Sequence, residues 1–116
     1  MTAWPRGDVE AIVALYAPSA TYRALAFRGP DEGIEGVRRY LRENFGAEGV
    51  VSCQFADPVV SGNRAAVEWW ASWVEDGRRL TMAGATMLRF DDEGRVLDHR
   101  DYWNEQQDRI EPYTGW

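Results

Sequence analysis

From about residue 50 the chain becomes rich in β-branched and aromatic residues and is cut by three turn signals, Ser61-Gly62-Asn63, Glu75-Asp76-Gly77 and Asp91-Asp92-Glu93-Gly94. Gly, Asn and Asp tolerate the positive φ of tight hairpins, and the runs between them favour a pleated backbone. The pattern predicts four strands in an antiparallel meander. The first half reads differently. Over residues 8 to 16, Val9, Ile12, Val13 and Tyr16 follow helical spacing, with Asp8 as N-cap and Pro18 ending the run. Over residues 34 to 45, Ile34, Val37, Leu41 and Phe45 share a face, and Arg38, Arg39, Arg42 and Glu43 fall largely outside it. Two helices followed by an antiparallel sheet define an α+β domain, and 116 residues suffice for one core but not two, so residues 1–116 are read as a single domain.

Burial on the sheet is the next constraint. In "VEWWASW", Val67, Trp69, Ala71 and Trp73 alternate with Glu68, Trp70 and Ser72, and in "TMAGATML" both sides are apolar or small. Neither face reads as solvated. Two helices cover only part of one face, so the reading assigns the other to a second copy, as a homodimer through the sheet.

Charge and cysteine content narrow the partners. Thirteen basic against 19 acidic side chains give a net charge of −6, which opposes binding to nucleic acid or to an anionic membrane. The single Cys53 excludes an internal disulfide, and one Cys with one His is too few for a structural zinc site. No metal or cofactor is expected. With no apolar run of roughly 18 residues and no signal-peptide core in MTAWPRGD, a cytoplasmic protein is expected.

The stretch "DHRDYWNEQ", residues 98 to 106, holds the single histidine. On a strand from about Val96 to Asn104, Leu97, His99, Asp101 and Trp103 share one face, and Val96, Asp98, Arg100, Tyr102 and Asn104 share the other. Structural readings stand beside chemical ones. Asp101 could pair with Arg100, Arg38 or Arg42; His99 could be a satisfied strand histidine; Tyr16 and Tyr22 could be core residues with hydrogen-bonded hydroxyls. Glu68 needs either an arginine on the dimer face or a place in a pocket, and Cys53 reads as a small strand residue.

The ordered set Gly7-Asp8-Val9-Glu10-Ala11, Leu15-Tyr16-Ala17-Pro18, Ala20-Thr21-Tyr22, the helix start at Gly36, Ala66-Val67-Glu68-Trp69-Trp70 and Arg100-Asp101-Tyr102-Trp103 resembles the SnoaL-like families of the nuclear transport factor 2-like superfamily. The resemblance implies a cone-shaped, strongly bent antiparallel sheet wrapped by helices (cystatin-like), with the N-terminal helix shortened or missing here. It also implies that Asp101 points into the cone as acid or base. His99 is its same-face neighbour, and Trp69, Trp73, Met82 and Trp103 are candidates for the wall. Burial among them should raise the Asp101 pKa toward neutrality. Tyr16, Tyr22 and His99 are the candidate oxyanion donors. The second Asp and the Arg of epoxide-hydrolase-like members are replaced by Trp69 and Ala71. Two functions follow as expectations: a cofactor-free isomerase or cyclase-type enzyme acting on a small apolar, oxygen-bearing molecule, or a non-catalytic ligand-binding or dimerisation domain. The tail Tyr113-Thr114-Gly115-Trp116 is a candidate cover for the cone.

Overall fold

In the computed structural model, residues 9–44 and 50–116 are described. The expected N-cap Asp8, the helix-face residue Phe45 and the shortened or missing N-terminal helix lie outside them. Along the chain run α1 (Val9–Val13), β1 (Tyr16–Ala24), β2 (Asp31–Glu32), α2 (Gly33–Asn44), β3 (Val50–Phe55), β4 (Val59–Ser61), β5 (Arg64–Glu75), β6 (Arg78–Phe90) and β7 (Val96–Gln107). The result is α+β, with a curled, unclosed sheet in the order β2-β1-β7-β6-β5-β3 and β4 paired to β5.

The three turn signals all fall between strands. Gly62, Asp76, Gly77 and Gly94 adopt positive φ, and the Asp76-Gly77 pair (52° and 74°) gives the two-residue connection that keeps β5 and β6 in register from Glu75↔Arg78 to Arg64↔Arg89. The meander is confined to β5, β6 and β7. β3 and β4 both pair with β5, and the sheet is completed by β1 and β2 from the first half of the chain.

Two expectations are corrected here. The first helix ends at Val13, and Tyr16 opens a strand. Pro18 lacks an N–H and biases the preceding residue toward extended backbone, so the chain leaves the helix early. Pro18 and Ser19 sit exposed where the β1–β7 register breaks between Tyr16 and Thr21, the irregular position at which a strand tolerates proline. The sheet is also not wholly antiparallel. β1 lies parallel to β7, matching Tyr22 to His99 and Ala24 to Asp101.

The core fills the space between the two helices and β1. Ile12, Val37 and Leu41 are fully buried, as is Ala20, and they pack with Val13, Tyr16, Tyr22, Ala24 and Val96. Arg38 ties α2 to α1 by donating to Glu10 at 2.9 and 3.1 Å, and it also pairs with Glu35. It is therefore a clasp rather than part of a purely solvated face.

On the outer face the final segment lies back across the sheet. The Trp70 indole N–H donates to the Ile110 carbonyl at 2.7 Å, and the rings of Tyr113 and Trp116 meet Trp70 edge-on. Thr81 donates to the Asp108 carbonyl at 2.7 Å and accepts from the Ile110 N–H at 2.9 Å. The tail thus covers the face around Trp70 within the same chain, on the side opposite the row that carries Trp69. Tyr113 and Trp116 therefore lie on the Trp70 side of the sheet and not as the expected cover on the Trp69 side. Glu68 is exposed on this outer face.

Candidate active site

Strand alternation delivers one row of side chains from each long strand into a cavity of about 330 Å³. β5 contributes Val67, Trp69, Ala71 and Trp73; β6 contributes Met82, Thr86 and Leu88; β7 contributes His99, Asp101 and Trp103. β1 adds Tyr16 and Tyr22, α2 adds Tyr40, β3 adds Cys53 and Phe55, and Arg28 comes from the loop after β1. Gly84 makes this arrangement possible. It faces Trp69 on one side and Trp103 on the other, and a Cβ there would fall on the Tyr102 carbonyl oxygen and 2.7 Å from the Trp103 Cβ.

The polar floor is one connected network. Asp101 Oδ1 accepts from the Thr86 hydroxyl at 2.6 Å and lies 2.6 Å from His99 Nε2, while Oδ2 accepts from the Tyr22 hydroxyl at 2.7 Å. Trp69 Nε1 donates to Thr86 Oγ1 at 2.9 Å, and the Tyr16 hydroxyl lies 2.6 Å from His99 Nδ1. Tyr22 stacks on His99 with centroids 4.0 Å apart and meets the Tyr40 ring at a tilt, 4.5 Å away. An ionised Asp101 is a pure acceptor, so His99 carries a hydrogen on Nε2; in the neutral ring Nδ1 accepts from the Tyr16 hydroxyl, and in the charged ring Nδ1–H donates to it.

Electrostatics follow from this donor set. Burial is the largest influence on Asp101 and pushes its pKa up, but the His99 charge and the hydrogen bonds from His99, Thr86 and Tyr22 together outweigh it. The carboxyl is held below its usual value, which corrects the expectation of a rise toward neutrality. Apolar walls alone would raise it; three donors reverse the sign. Tyr16 and Tyr22 move the other way, well above the usual phenol value, through burial first and the Asp101 charge second. Burial also pushes the Cys53 thiol up to about 11.

All eight residues singled out in the sequence line this one cavity: Asp101, His99, Tyr16, Tyr22, Trp69, Trp73, Met82 and Trp103. The proposed arginine partners of Asp101 are not in its hydrogen-bond set, and Arg100 instead lies 3.2 Å from Asp98. The hydroxyls of Tyr16 and Tyr22 engage His99 and Asp101, so both serve the network rather than standing ready as oxyanion donors. Thr86, Tyr40 and Arg28 were missed. Thr86 shares a strand face with Met82 and Tyr40 lies one helical turn from Val37, so both carry a periodic signal; Arg28, in a turn-rich stretch, carries none. Its guanidinium lies 5.6 Å from the Trp103 ring centroid.

A second depression of about 350 Å³ at the β5–β6 turn is walled mainly by exposed polar side chains such as Glu75, Asp76, Arg78 and Gln106. The buried network makes the first cavity the candidate site. Among the described residues no cluster of three or more His, Cys, Asp or Glu is placed to hold a metal, and no helix is long and apolar enough to cross a membrane.

The fold matches that of a solved structure. A solved structure of the epoxide hydrolase/cyclase-like enzyme SalBIII, described in pyran ring formation in polyether salinomycin, superposes with a TM-score of 0.80 at 21% identity, over 89% of this chain and 83% of that one. This likeness establishes the nuclear transport factor 2-like fold. The family model of the SnoaL-like domain matches residues 1–99, a span that includes Tyr16, Tyr22, Trp69, Trp73, Met82 and His99 and stops just before Asp101. The chain belongs to the SnoaL-like domain family.

Proposed function

We propose that the cavity binds a small, apolar, oxygen-bearing molecule and that Asp101 moves a proton on it, as in a cofactor-free isomerase or cyclase-type enzyme. The observation that carries this reading is the buried carboxylate in an aromatic cavity. Among the described residues its Oδ1 takes two partners and its Oδ2 one, which leaves an acceptor position on Oδ2. With its pKa held low, Asp101 is ionised at neutral pH and is set to accept a proton. Oδ2 would take a proton from carbon beside a carbonyl; the C–H electron pair forms the enolate, with the carbonyl π pair moving to oxygen. In a β,γ-unsaturated ketone the enolate is conjugated with the C=C, and return of the proton to the γ-carbon, with the oxygen pair re-forming the carbonyl, completes an isomerisation. Trp69 and Ala71 offer no second carboxylate or arginine, so hydrolysis by a paired-carboxylate set is not part of the reading. The cyclase-like solved structure supports it at the level of fold.

A second reading is favoured by the completeness of the network: with every hydroxyl satisfied internally, the floor can serve a ligand-binding or dimerisation domain without chemistry. The proposal includes a homodimer through the outer face, where Ala83, Ala85 and Met87 are half-buried and Tyr102 is 40% exposed beyond the tail. Size-exclusion chromatography with light scattering tests that part, and a monomer removes it. The proposed compartment is the cytoplasm. For catalysis, a panel of cyclic ketones and epoxides is assayed for turnover and for solvent-hydrogen exchange, alongside thermal shift. Loss of measurable turnover in Asp101→Asn supports the enzyme. Ligand-induced rises in melting temperature with no turnover in either protein support binding alone.

A further inference from the structure

Trp69 stands out because it is both cavity wall and hydrogen-bond donor. Its indole N–H can only donate, so at 2.9 Å the Thr86 oxygen must accept. Thr86 has a single hydroxyl hydrogen, and the 2.6 Å contact directs it to Asp101 Oδ1. The donor order therefore runs Trp69 to Thr86 to Asp101. Accepting one hydrogen bond polarises a hydroxyl and strengthens the one it gives. Geometry sets the path: Val67, not Trp69, stands directly opposite Thr86, and the residue opposite Trp69 is Gly84. Gly84 has no side chain between the strands, so the indole can lean diagonally across β6 to Thr86.

We propose that Trp69 is a positioning residue for Asp101, acting through Thr86 to decide which carboxylate oxygen is the base. Among the described residues, Thr86 and His99 occupy Oδ1 and Tyr22 occupies Oδ2, so the open acceptor position lies on Oδ2. Trp69 stands where the resemblance placed a carboxylate or arginine of another chemistry. Here the indole contributes a directed donor in that place. The consequence for ligand chemistry rests on the proton-transfer reading above; the consequence for the carboxylate does not.

The experiment is a carboxyl-carbon NMR titration of Asp101 in the ligand-free protein, comparing wild type with Trp69→Phe, Thr86→Val and Thr86→Ser. Trp70→Phe, on the opposite face, is the control for loss of an indole N–H. The proposal expects the Asp101 titration to move to higher pH in Trp69→Phe and further in Thr86→Val, with Thr86→Ser and Trp70→Phe close to wild type. A Trp69→Phe titration coincident with wild type, in a protein that retains wild-type circular dichroism, overturns it. So does an equal shift in Trp70→Phe, which would mark a general effect of losing an indole. Should Trp69→Phe fail to fold, Thr86→Val against Thr86→Ser carries the test, and an unshifted Thr86→Val overturns it. If the shifts appear but no probe is turned over, the positioning role stands and the enzymatic reading falls.

Discussion

Replacing Tyr22 by Phe removes one oxygen from the most buried part of the site and leaves the ring. Tyr22 is 1% exposed, and its ring stacks on His99 and meets Tyr40 at a tilt, contacts that Phe keeps. What is lost is the 2.7 Å hydrogen bond to Asp101 Oδ2, together with the hydroxyl's bond with Tyr40. A bond to a charged acceptor contributes about 1.5–3 kcal/mol, and Asp101, itself 7% exposed, is poorly placed to recover the bond from water. The expected loss at neutral pH is therefore about 2 kcal/mol, read as a lower urea midpoint at unchanged slope and a Tm lower by roughly 5–10 °C. The loss depends on pH in a definite direction. Because the folded Asp101 pKa is depressed, its stabilisation is fully present above the unfolded value of about 3.9 and is lost as pH falls through the folded value. The gap between wild type and Tyr22→Phe should thus be widest above about pH 4 and narrow as Asp101 protonates in more acidic solution. Urea melts across this range test both parts. A loss below about 0.5 kcal/mol at neutral pH, or one that is the same on both sides of the transition, would refute a charged acceptor at Oδ2.

Gly84→Ala should destabilise the protein by about 2–4 kcal/mol or prevent folding, since the added Cβ meets backbone and the Trp103 Cβ rather than a flexible side-chain tip; urea denaturation measures it. Tyr16 and Tyr22 have raised folded pKa values, so their contribution is fully present below the unfolded value of about 10 and is lost as pH rises beyond it. Their tyrosinate absorbance should therefore appear together with the loss of circular dichroism, and ionisation of both in the folded protein would contradict their burial. Cys53, with its thiol at about 11, should alkylate slowly at neutral pH, faster as pH rises, and more slowly again when a probe occupies the cavity it lines. Truncation after Gln107 should uncover Trp70 and Thr81, lowering the urea midpoint and raising binding of an apolar dye.

Much of the site was legible because it rests on period two. The alternation in "VEWWASW" and "DHRDYWNEQ" assigns Trp69 and Trp73 to one row, and His99, Asp101 and Trp103 to another, before any partner is known. Resemblance supplied the inward direction of Asp101. Hairpin turns were legible because Asp76-Gly77 and its counterparts satisfy a local backbone demand. Tyr16 was read as the end of a helix because its spacing fits one; what overrode that reading was Pro18 together with pairing to Val96 on β7, a partner at the far end of the chain.

Alone, the sequence determined what is local: where the chain must turn, which residues share a strand face, and that the chain carries too few Cys and His for a disulfide or a zinc site. Tertiary structure decided what depends on convergence. Whether Asp101 titrates above or below an ordinary carboxyl depends on the sum of opposing influences. Burial among tryptophans is visible in one strand, but the donors that outweigh it come from His99 on β7, Thr86 on β6 and Tyr22 on β1. The β6–β7 pairing sets Thr86 opposite Asp101, and Tyr22 joins them only when β1 docks parallel to β7, which completes the donor set of the ionised floor.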